Sequence, residues 1–501
     1  MRPIETLLLL TNLLTFTILV VPRLRTLTWM GYLALIGLLV AGVQALVEGA
    51  RWQMVPAYAL SGLFFLIWLW QNIAPQGRFA VQGRTNTLAA ALGVGLGLIG
   101  LAVSIVLPII LPVFRFPQPG GPYKIGTLTY HWVDAGRAEV FNTDPNARRE
   151  LMVQIWYPAN GDPTSPRAPY LQDAGALTSA LARQHHKPAF LFGNLPYITT
   201  HAILSAPVAD DEPSYPVLIF MEGLTGFRQM NTFQVEELVS HGYIVAAIDQ
   251  PYAAAAVVFP DGRKISVLPL DQMRALVRQS YLPADRAPVL NGREYQQGII
   301  HYLAQDVLFT LDQLTALNQA DPNGILTGRL DLQHAGIFGM SLGGIVAGEA
   351  CRLEPRLQAC LFMDAPMPTD VVQAGLQPPS MWITRDAETM RLERQQAGGW
   401  PEDEIQAHLT SMRAVYESLP GDGYFVQVPG IFHINFTDVP LWSPLFSWMG
   451  ATGPIDAQRA FHIINAYSFA FFDRHLKGRP AALLDRPAGQ YPEVIFETRR
   501  P

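Results

Sequence analysis

A glycine-flanked serine follows a short apolar run in the stretch HAGIFGMSLGGIVAGEA, residues 334–350. Gly339, Ser341 and Gly343 form a G-x-S-x-G pattern, and small residues that permit a helix come directly after it. A serine on a sharp turn between a strand and a helix exposes its hydroxyl group, while the next backbone N–H faces the same space. Because the chain contains 41 glycines, the pattern indicates a nucleophile only if the other parts of a hydrolytic site are present.

An acid and a histidine follow two later apolar runs. Asp364 ends the run ACLFMDA, and His433 lies in the loop IFHINF after YFVQVPG. A serine hydroxyl is a poor nucleophile, so a histidine must take its proton and a buried carboxylate must stabilise the resulting imidazolium. The anion that forms on the attacked carbonyl also needs preorganised donors. The backbone N–H groups of Leu224 and Leu342 are the candidates for this oxyanion hole.

Seven apolar runs bounded by turn residues predict the strands that position these groups. They are residues 151–158, 215–222, 243–249, 334–340, 359–365, 380–386 and 424–430. Helical patterns fill most of the gaps, so we expect a mostly parallel sheet covered on both faces. Ligands bind such sheets beyond the carboxyl ends of the strands, where all three candidate residues lie. The order serine, acid, histidine is that of α/β hydrolases, and we therefore predict an α/β-hydrolase domain over residues 115–501.

Other acids and histidines offer alternatives. Asp386 is the main alternative to Asp364, because it ends the next strand, where most α/β hydrolases place their acid. The remaining candidates are predicted to be surface, loop or packing residues: Asp370, Asp438, His462 and His475. His185 and His186 lack a third ligand at a known metal-binding spacing, so an exposed pair is the expected interpretation. We expect neither a metal ion nor a cofactor.

The first 114 residues are far more apolar than the rest, and they contain four long hydrophobic stretches. These are residues 4–21, 30–47, 54–70 and 88–111. Each approaches or exceeds the roughly 17–25 residues that a helix needs to cross a bilayer. The sequence therefore predicts an all-α transmembrane region of about four helices at residues 1–114, ahead of the catalytic domain.

Positive charges near the predicted spans indicate an orientation, because the side richer in Lys and Arg tends to remain cytoplasmic. The loops after the first and third spans carry Arg23, Arg25, Arg78 and Arg84. The other side carries three arginines, and Lys124 lies farther along the chain. This small difference favours a multi-pass membrane protein with its termini and catalytic domain outside the cytoplasm.

Charge and cysteine content exclude other classes of protein. The net charge is −6 and no cluster of basic residues stands out, so nucleic acid is not an expected partner. The two cysteines, Cys351 and Cys360, are too few for a disulfide scaffold or a cysteine metal site. We expect buried free thiols, on the helix after Ser341 and at the start of the next strand, with a bridge between the two cysteines as the alternative. The redox compartment is left open.

Four segments of the chain form a recognisable set: EGLTGFRQMNTFQVEELVSHGYIVAAIDQPYAAAAVVFPDGR, GIFGMSLGG, LFMDAPM and GIFHINFTD. Together they resemble the plasma-type platelet-activating factor acetylhydrolase family of α/β hydrolases, which includes bacterial relatives. The stretches FPQPGGPYKIGT and LMVQIWYPA resemble the beginning of that family, and the resemblance covers about residues 116–480. It implies a triad of Ser341, Asp364 and His433, with the acid one strand earlier than in most α/β hydrolases. It implies oxyanion donors at Leu224 and Leu342.

Three residues depart from the family pattern. Glu222, Gln250 and Met340 stand where the family commonly has histidine. A carboxylate aimed at a developing oxyanion would oppose catalysis, so we expect the Glu222 side chain to point away or to pair with an arginine such as Arg228. Two long connections, residues 160–212 and 386–422, look inserted. The second has apolar residues at helical spacing, which is typical of a solvated helix pair, with a lid as the alternative.

The combined expectation is a membrane-anchored serine esterase that forms an acyl-enzyme. The resemblance implies phospholipids with a short or oxidised acyl chain at the middle glycerol position, and the bilayer is the expected partner. Bacterial relatives also include broad carboxylesterases and polyester hydrolases. Thioester or peptide hydrolysis would use the same triad. A membrane receptor or scaffold with a decayed hydrolase fold is the non-enzymatic alternative. The oligomeric state is left open.

Overall fold

The computed structural model of the 501-residue chain divides into two compact units. It describes residues 1–21, 23–24, 32–73, 87–162, 164–282, 289–294, 298–486 and 489–500. One unit comprises Met1–Phe114, Lys187–Ile198 and Trp442–Pro444. The other comprises Arg115–His186, Thr199–Leu441 and Leu445–Pro501. The described residues do not include Arg25, Arg78 and Arg84, three of the arginines on which the predicted orientation depends. They also do not include Met30 of the second predicted span.

Four apolar helices form most of the first unit. They are α1 (Pro3–Val20), α2 (Leu33–Gln44, continued by a π-helical turn over Ala45–Gly49), α3 (Val55–Ile73) and α4 (Thr87–Ile110). Three helical segments, Pro3–Val20, Trp52–Asn72 and Ala90–Ile110, are long and apolar enough to cross a membrane by length and composition. The second predicted span is shorter, because its helix covers only Leu33–Gly49.

Several polar side chains inside this helical unit bind one another or the backbone. The Asn12 amide donates to the Ala57 carbonyl at 2.9 Å, and the Ser61 hydroxyl donates to the Asn12 side-chain oxygen at 2.8 Å. Near one end of the unit, Arg51 pairs with Glu5 and donates to the Leu111 carbonyl at 2.6 Å. Polar groups away from water need such partners, and bonds between helices hold the packed arrangement together.

An eleven-stranded sheet forms the centre of the second unit, and two small hairpins accompany it. The strands are β1 (Lys124–Ala138), β2 (Arg148–Ala159), β3 (Arg167–Pro169), β4 (Thr199–Leu204), β5 (Tyr215–Met221), β6 (Ile244–Asp249), β7 (Ala256–Val258), β8 (Lys264–Ser266), β9 (Val289–Leu290), β10 (Arg293–Glu294), β11 (Leu330–Met340), β12 (Leu357–Met363), β13 (Ser380–Thr384), β14 (Gly423–Gln427) and β15 (Ile495–Arg499). All seven predicted strands are present, as β2, β5, β6 and β11 to β14.

The sheet has the order β15-β14-β13-β12-β11-β5-β6-β2-β1-β4-β3. Neighbouring strands from β14 to β6 pair in parallel, whereas β2 pairs antiparallel with both β6 and β1. Every residue of β5 and β6 is buried, as expected for parallel strands with both faces covered. The carboxyl ends of β5, β11, β12, β13 and β14 therefore lie along one edge.

Helices lie in the connections between the strands. They are α5 (Ala174–Gln184), α6 (Thr232–Ser240), α7 (Leu270–Arg278), α8 (Gly298–Gln319), α9 (Leu342–Leu353), α10 (Thr369–Ala374), α11 (Ala387–Ala397), α12 (Glu402–Ser418), α13 (Val439–Trp442), α14 (Leu445–Trp448) and α15 (Ala457–Lys477). The inserted segment 386–422 forms the helix pair α11 and α12, as predicted. The inner side of that pair is buried, however, at residues that include His408 and Met412.

The expectation of free thiols is wrong, because Cys351 and Cys360 form a disulfide. Cys351 lies near the end of α9 and Cys360 lies in β12, and both are buried. The helix returns along the sheet, so its last turn lies beside the following strand, with 6.6 Å between the two Cα atoms. This separation is within the range of about 4.4–6.8 Å that a disulfide spans. The spacing of Cys351 and Cys360 in the sequence does not indicate that the helix returns along the sheet.

Candidate active site

Ser341 lies on the sharp turn between β11 and α9. Its backbone has φ 56° and ψ −121°, in a region that residues other than glycine rarely adopt. The flanking glycines make the turn possible: a Cβ atom on Gly343 would collide with the Met221 carbonyl, and one on Gly339 would collide with the Gly343 carbonyl. Strain of this kind persists where the surrounding structure enforces it. The predicted nucleophile turn is therefore present in the structure.

Replacing Gly343 by alanine should displace the start of α9 and reduce both stability and hydrolysis. The new methyl group would meet backbone atoms of Met221, which cannot move without shifting β5. Overpacking of this kind costs about 1–3 kcal/mol, which a thermal melt would detect. Gly175→Ala is the matched control, because no atom lies within 4 Å of the new methyl group in the first turn of α5. Equal stability of the two variants would contradict this interpretation of the turn.

The structure brings Ser341, His433 and Asp364 together. His433 Nε2 lies 3.0 Å from Ser341 Oγ, and His433 Nδ1 makes a short hydrogen bond with Asp364 Oδ2. Asp364 directly follows β12, and His433 begins a short 3₁₀ turn in the loop after β14. The His433 side chain is 28% exposed, whereas the Asp364 side chain is buried. This geometry permits proton transfer from the serine hydroxyl to a histidine whose ring is oriented by a carboxylate.

Asp364 is surrounded by donors. Thr384 Oγ1 donates to Asp364 Oδ1 at 3.2 Å, and Arg385 Nε donates to the same oxygen at 3.0 Å. Burial alone would raise the pKa of Asp364, but the Arg385 guanidinium and the bond to His433 outweigh it and hold that pKa well below its usual range. Asp364 is therefore ionised at neutral pH. Arg385 was not predicted as a site residue, although it directly precedes the candidate acid Asp386.

The alternative residues have other contacts. Asp386 caps the start of α11 by accepting from the Thr389 backbone N–H at 2.9 Å. Asp438 was expected to be a surface or loop carboxylate; it lies in a loop, but it is buried and accepts from the Thr232 and Phe233 backbone N–H groups at 2.9 and 3.1 Å. The reason is that the first amides of α6 need acceptors. His475 contacts the Tyr424 hydroxyl at 3.1 Å, while His462, Asp370, His185 and His186 are exposed.

The two predicted oxyanion donors lie in segments that flank Ser341. Leu342 is the first residue of α9, where backbone N–H groups have no partner within the helix. Leu224 lies in the loop after β5. The preceding Gly223 approaches the nucleophile so closely that a Cβ atom there would lie 3.3 Å from Ser341 Cβ and 3.0 Å from Met340 Sδ. The donor role of the two amides stays a prediction.

Glu222 does not pair with Arg228. The Glu222 carboxyl faces the end of β6, where it accepts from the Gln250 backbone N–H at 3.2 Å. Arg228 instead donates its backbone N–H to Asp249 Oδ1 at 2.6 Å and pairs with the other oxygen of that carboxylate. Burial and the adjacent Asp249 carboxylate raise the pKa of Glu222 well above its ordinary value. Both effects favour the neutral form of the Glu222 carboxyl.

The Gln250 and Met340 side chains also lie inside the unit. Gln250 Nε2 donates to the Leu303 carbonyl at 3.0 Å and to Asp306 Oδ2 at 2.8 Å. Asp306 in turn pairs with the buried guanidinium of Arg149. Met340 is 4% exposed at the end of β11. The three departures from the family pattern thus fill the interior behind the site and leave the triad residues unchanged.

Glu222→Gln should make the stability less dependent on pH. A folded-state pKa raised above the unfolded value gives stability that is present at low pH and lost as pH rises through the folded pKa. The amide resembles the protonated acid and does not ionise, so the variant should lose less stability than wild type as the pH rises, and the difference should be largest near the alkaline end of the range. Chemical denaturation between about pH 5 and 9 measures this. The exposed Glu388→Gln is the control, and a parallel profile for Glu222→Gln would contradict the assignment.

The chain is similar in sequence to known proteins. The family model for platelet-activating factor acetylhydrolase, isoform II, matches residues 110–480. A platelet-activating factor acetylhydrolase from Gallus gallus is 22% identical over 387 residues, which cover 72% of this chain and 84% of the chicken protein. A probable 1-alkyl-2-acetylglycerophosphocholine esterase from Arthroderma benhamiae is 23% identical and covers 76% of this chain and 94% of its own length.

Among solved structures, a ferulic acid esterase from Streptomyces cinnamoneus is similar, with a TM-score of 0.60 and 30% sequence identity. The alignment covers 77% of this chain and 99% of that structure. The predicted α/β-hydrolase fold and the predicted family are both confirmed. The chain is an ester hydrolase, and it belongs to the platelet-activating factor acetylhydrolase, isoform II, family.

Proposed function

We propose that the protein cleaves carboxylic esters through a covalent acyl-enzyme at Ser341. The observation that carries this proposal is the 3.0 Å contact between His433 Nε2 and Ser341 Oγ, with Asp364 on the opposite ring nitrogen. Loss of the triad would be expected in a decayed scaffold, so the intact arrangement favours an enzyme. The strained backbone of Ser341 supports the same role.

The proposed reaction has two halves. Ser341 Oγ attacks the acyl carbon while its proton passes to His433 Nε2, and the amides of Leu224 and Leu342 bind the oxyanion. Collapse of the intermediate returns the proton to the leaving alcohol and leaves the acyl-enzyme. A water molecule then gives a proton to His433 and attacks the acyl carbon, which releases the acid and restores Ser341. Asp364 stabilises the imidazolium in both halves.

The proposed substrates are glycerophospholipids with a short or oxidised acyl chain at the middle position. The names of the chicken and fungal relatives support this class. The apolar helices support it as well, because anchoring keeps the site near lipid. We propose that residues 1–114 form a multi-pass membrane region and residues 115–501 form the catalytic domain.

Aromatic esters are the second candidate class. Trp400 lies next to the triad, with 5.2 Å between its ring centroid and that of His433. An aromatic wall at this place could contact an aromatic acyl group. The 30% identity to a ferulic acid esterase supports this alternative.

A substrate panel tests the proposed class. The full-length protein would be assayed on p-nitrophenyl esters of two to sixteen carbons, on phosphatidylcholines with an acetyl or a long chain at the middle position, and on methyl ferulate. We expect kcat/KM to be highest for short acyl chains and for the acetylated phospholipid. A preference for methyl ferulate would favour the second class, and a preference for sixteen-carbon chains would contradict the first.

We propose that the catalytic domain lies outside the cytoplasm. The Cys351–Cys360 disulfide supports this location, because disulfides persist mainly in oxidising compartments. Intact cells that carry a C-terminal epitope tag should lose the epitope on external proteolysis. Protein trapped with a maleimide from those cells should remain unmodified at both cysteines. A protected epitope together with two modified cysteines would place the domain in the cytoplasm.

A further inference from the structure

Arg385 contacts the carboxylate of Asp364 directly. It follows β13, is 3% exposed, and its Nε lies 3.0 Å from Asp364 Oδ1 and 2.9 Å from Oδ2. On its other side the guanidinium pairs through Nη1 with Glu393 of α11. A buried cation is therefore held between two carboxylates, one of which belongs to the triad.

Glu393 also reaches the histidine. Its Oε2 accepts a hydrogen bond from the backbone N–H of His433 at 3.2 Å. The same carboxylate thus binds Arg385 and the main chain of His433. Asp364 and His433 are consequently connected twice, directly through Nδ1 and indirectly through Arg385 and Glu393.

Two aromatic residues of the inserted segment 386–422 complete the surroundings. The Trp400 ring lies over the Arg385 guanidinium, with 4.7 Å between Arg385 Cζ and the ring centroid. The ring centroids of Trp400 and His408 are 4.6 Å apart. His408 Nε2 lies 3.7 Å from Asp364 Oδ1. Burial lowers the pKa of His408 to about 3, so this ring is neutral at working pH. Among the contacts that Asp364 and His433 make in the described part of the chain, the charged partners are therefore Arg385 and Glu393.

A cation beside Asp364 has two effects on the triad. It fixes the carboxylate in its ionised form and in one orientation, which favours a correctly placed histidine. It also repels the imidazolium that must form on His433, and this repulsion is strong at short range in a poorly solvated site. A carboxylate bound to the same guanidinium reduces that repulsion.

We propose that Arg385 and Glu393 act as a charge-balanced pair of positioning residues, Arg385 holding Asp364 and Glu393 holding the His433 main chain while offsetting the Arg385 charge. This inference rests on the proposed serine hydrolase function. The proposal assigns a role to α11, because this helix supplies Glu393, the second carboxylate that contacts Arg385. Glu393 of the inserted segment therefore acts as a fixed support of the triad.

The pair is tested by the pH dependence of labelling in variants of the two residues. The acidic limb, the part of the profile in which the rate rises with pH, should move in opposite directions in the two variants. The rate constant for labelling of the full-length protein in detergent by a fluorophosphonate would be measured between about pH 5 and 9. Arg385→Gln removes a positive charge and favours the protonated imidazole, so the acidic limb should move up by about one pH unit. Glu393→Gln removes a negative charge, so the limb should move down. Both variants should label about 10- to 100-fold more slowly at their optimum.

Two further variants serve as controls. Arg385→Lys retains the charge, so its acidic limb should stay at the wild-type position although its rate falls. Arg391→Gln removes a cation of α11 that pairs with Glu402 and is 39% exposed, so it should leave rate and limb unchanged. A misfolded fraction that is constant with pH lowers the rate without moving the midpoint of the limb, and circular dichroism of each variant across the pH range checks that it is constant.

The outcomes separate the pair from the reaction itself. A labelled wild type whose limb stays fixed, or moves in the same direction, in Arg385→Gln and Glu393→Gln would overturn the inference alone. Slower labelling without displacement would mean that the two residues only maintain structure. A wild type that is not labelled at all would overturn the proposed function and the inference with it.

Discussion

Ser341→Ala is expected to reduce kcat/KM for ester hydrolysis by at least about 10⁴-fold. The hydroxyl that becomes acylated is absent in this variant, and removal of the nucleophile from a serine hydrolase leaves only the residual effect of binding and the oxyanion hole. The turn itself should remain, because alanine has a smaller side chain at the same backbone position. Hydrolysis of a short p-nitrophenyl ester by purified wild type and variant measures the loss.

Ser179→Ala is the matched control for this substitution. The Ser179 hydroxyl donates to the Gly175 carbonyl within α5, and its removal should change kcat/KM by less than about twofold. Hydrolysis by Ser341→Ala at more than a tenth of the wild-type rate would mean that another group attacks the ester.

Asp364→Asn is expected to lower kcat/KM by about 10⁴-fold with little change in size. An asparagine cannot stabilise the imidazolium, and its amide nitrogen can donate to His433 Nδ1 and so favour the wrong tautomer. The loss should appear mainly in kcat, because Asp364 is buried behind the histidine. Steady-state kinetics on the same ester, with a thermal melt to confirm folding, measures both effects.

Asp386→Asn distinguishes the two candidate acids. Asp386 caps α11 through the Thr389 backbone N–H, and asparagine also serves as an N-cap. Its kcat/KM should therefore remain within a factor of about three of wild type. The reverse result, a large loss in Asp386→Asn and a small one in Asp364→Asn, would assign the acid to the strand after the one proposed.

The sequence contains enough information to locate the three chemical groups in the fold. Each follows a run of buried apolar residues, and parallel strands bring such ends to one edge. The glycines around Ser341 were informative because their small size is required by the turn, as the collision of a Gly343 side chain with Met221 demonstrates. Long apolar stretches likewise predicted the helices of the first unit, since length and composition decide such assignments.

Other features depend on the folded arrangement and were not predicted. The sheet extends beyond the seven predicted strands, to β1, β4 and β3 on one side and β15 on the other. The disulfide depends on α9 returning over β12, and the burial of Asp438 depends on its approach to the start of α6. The pairing of Arg385 with Glu393 joins residues eight positions apart, a spacing that does not favour contact within one helix.

Covalent labelling of the wild-type protein tests the central claim most directly. The full-length protein would be incubated with a fluorophosphonate at neutral pH, digested, and analysed by mass spectrometry to locate the adduct. A single adduct on Ser341, lost when His433 is replaced by alanine, is the predicted result. Labelling at a different residue, or equal labelling at Ser341 in the absence of the His433 imidazole, would contradict the account.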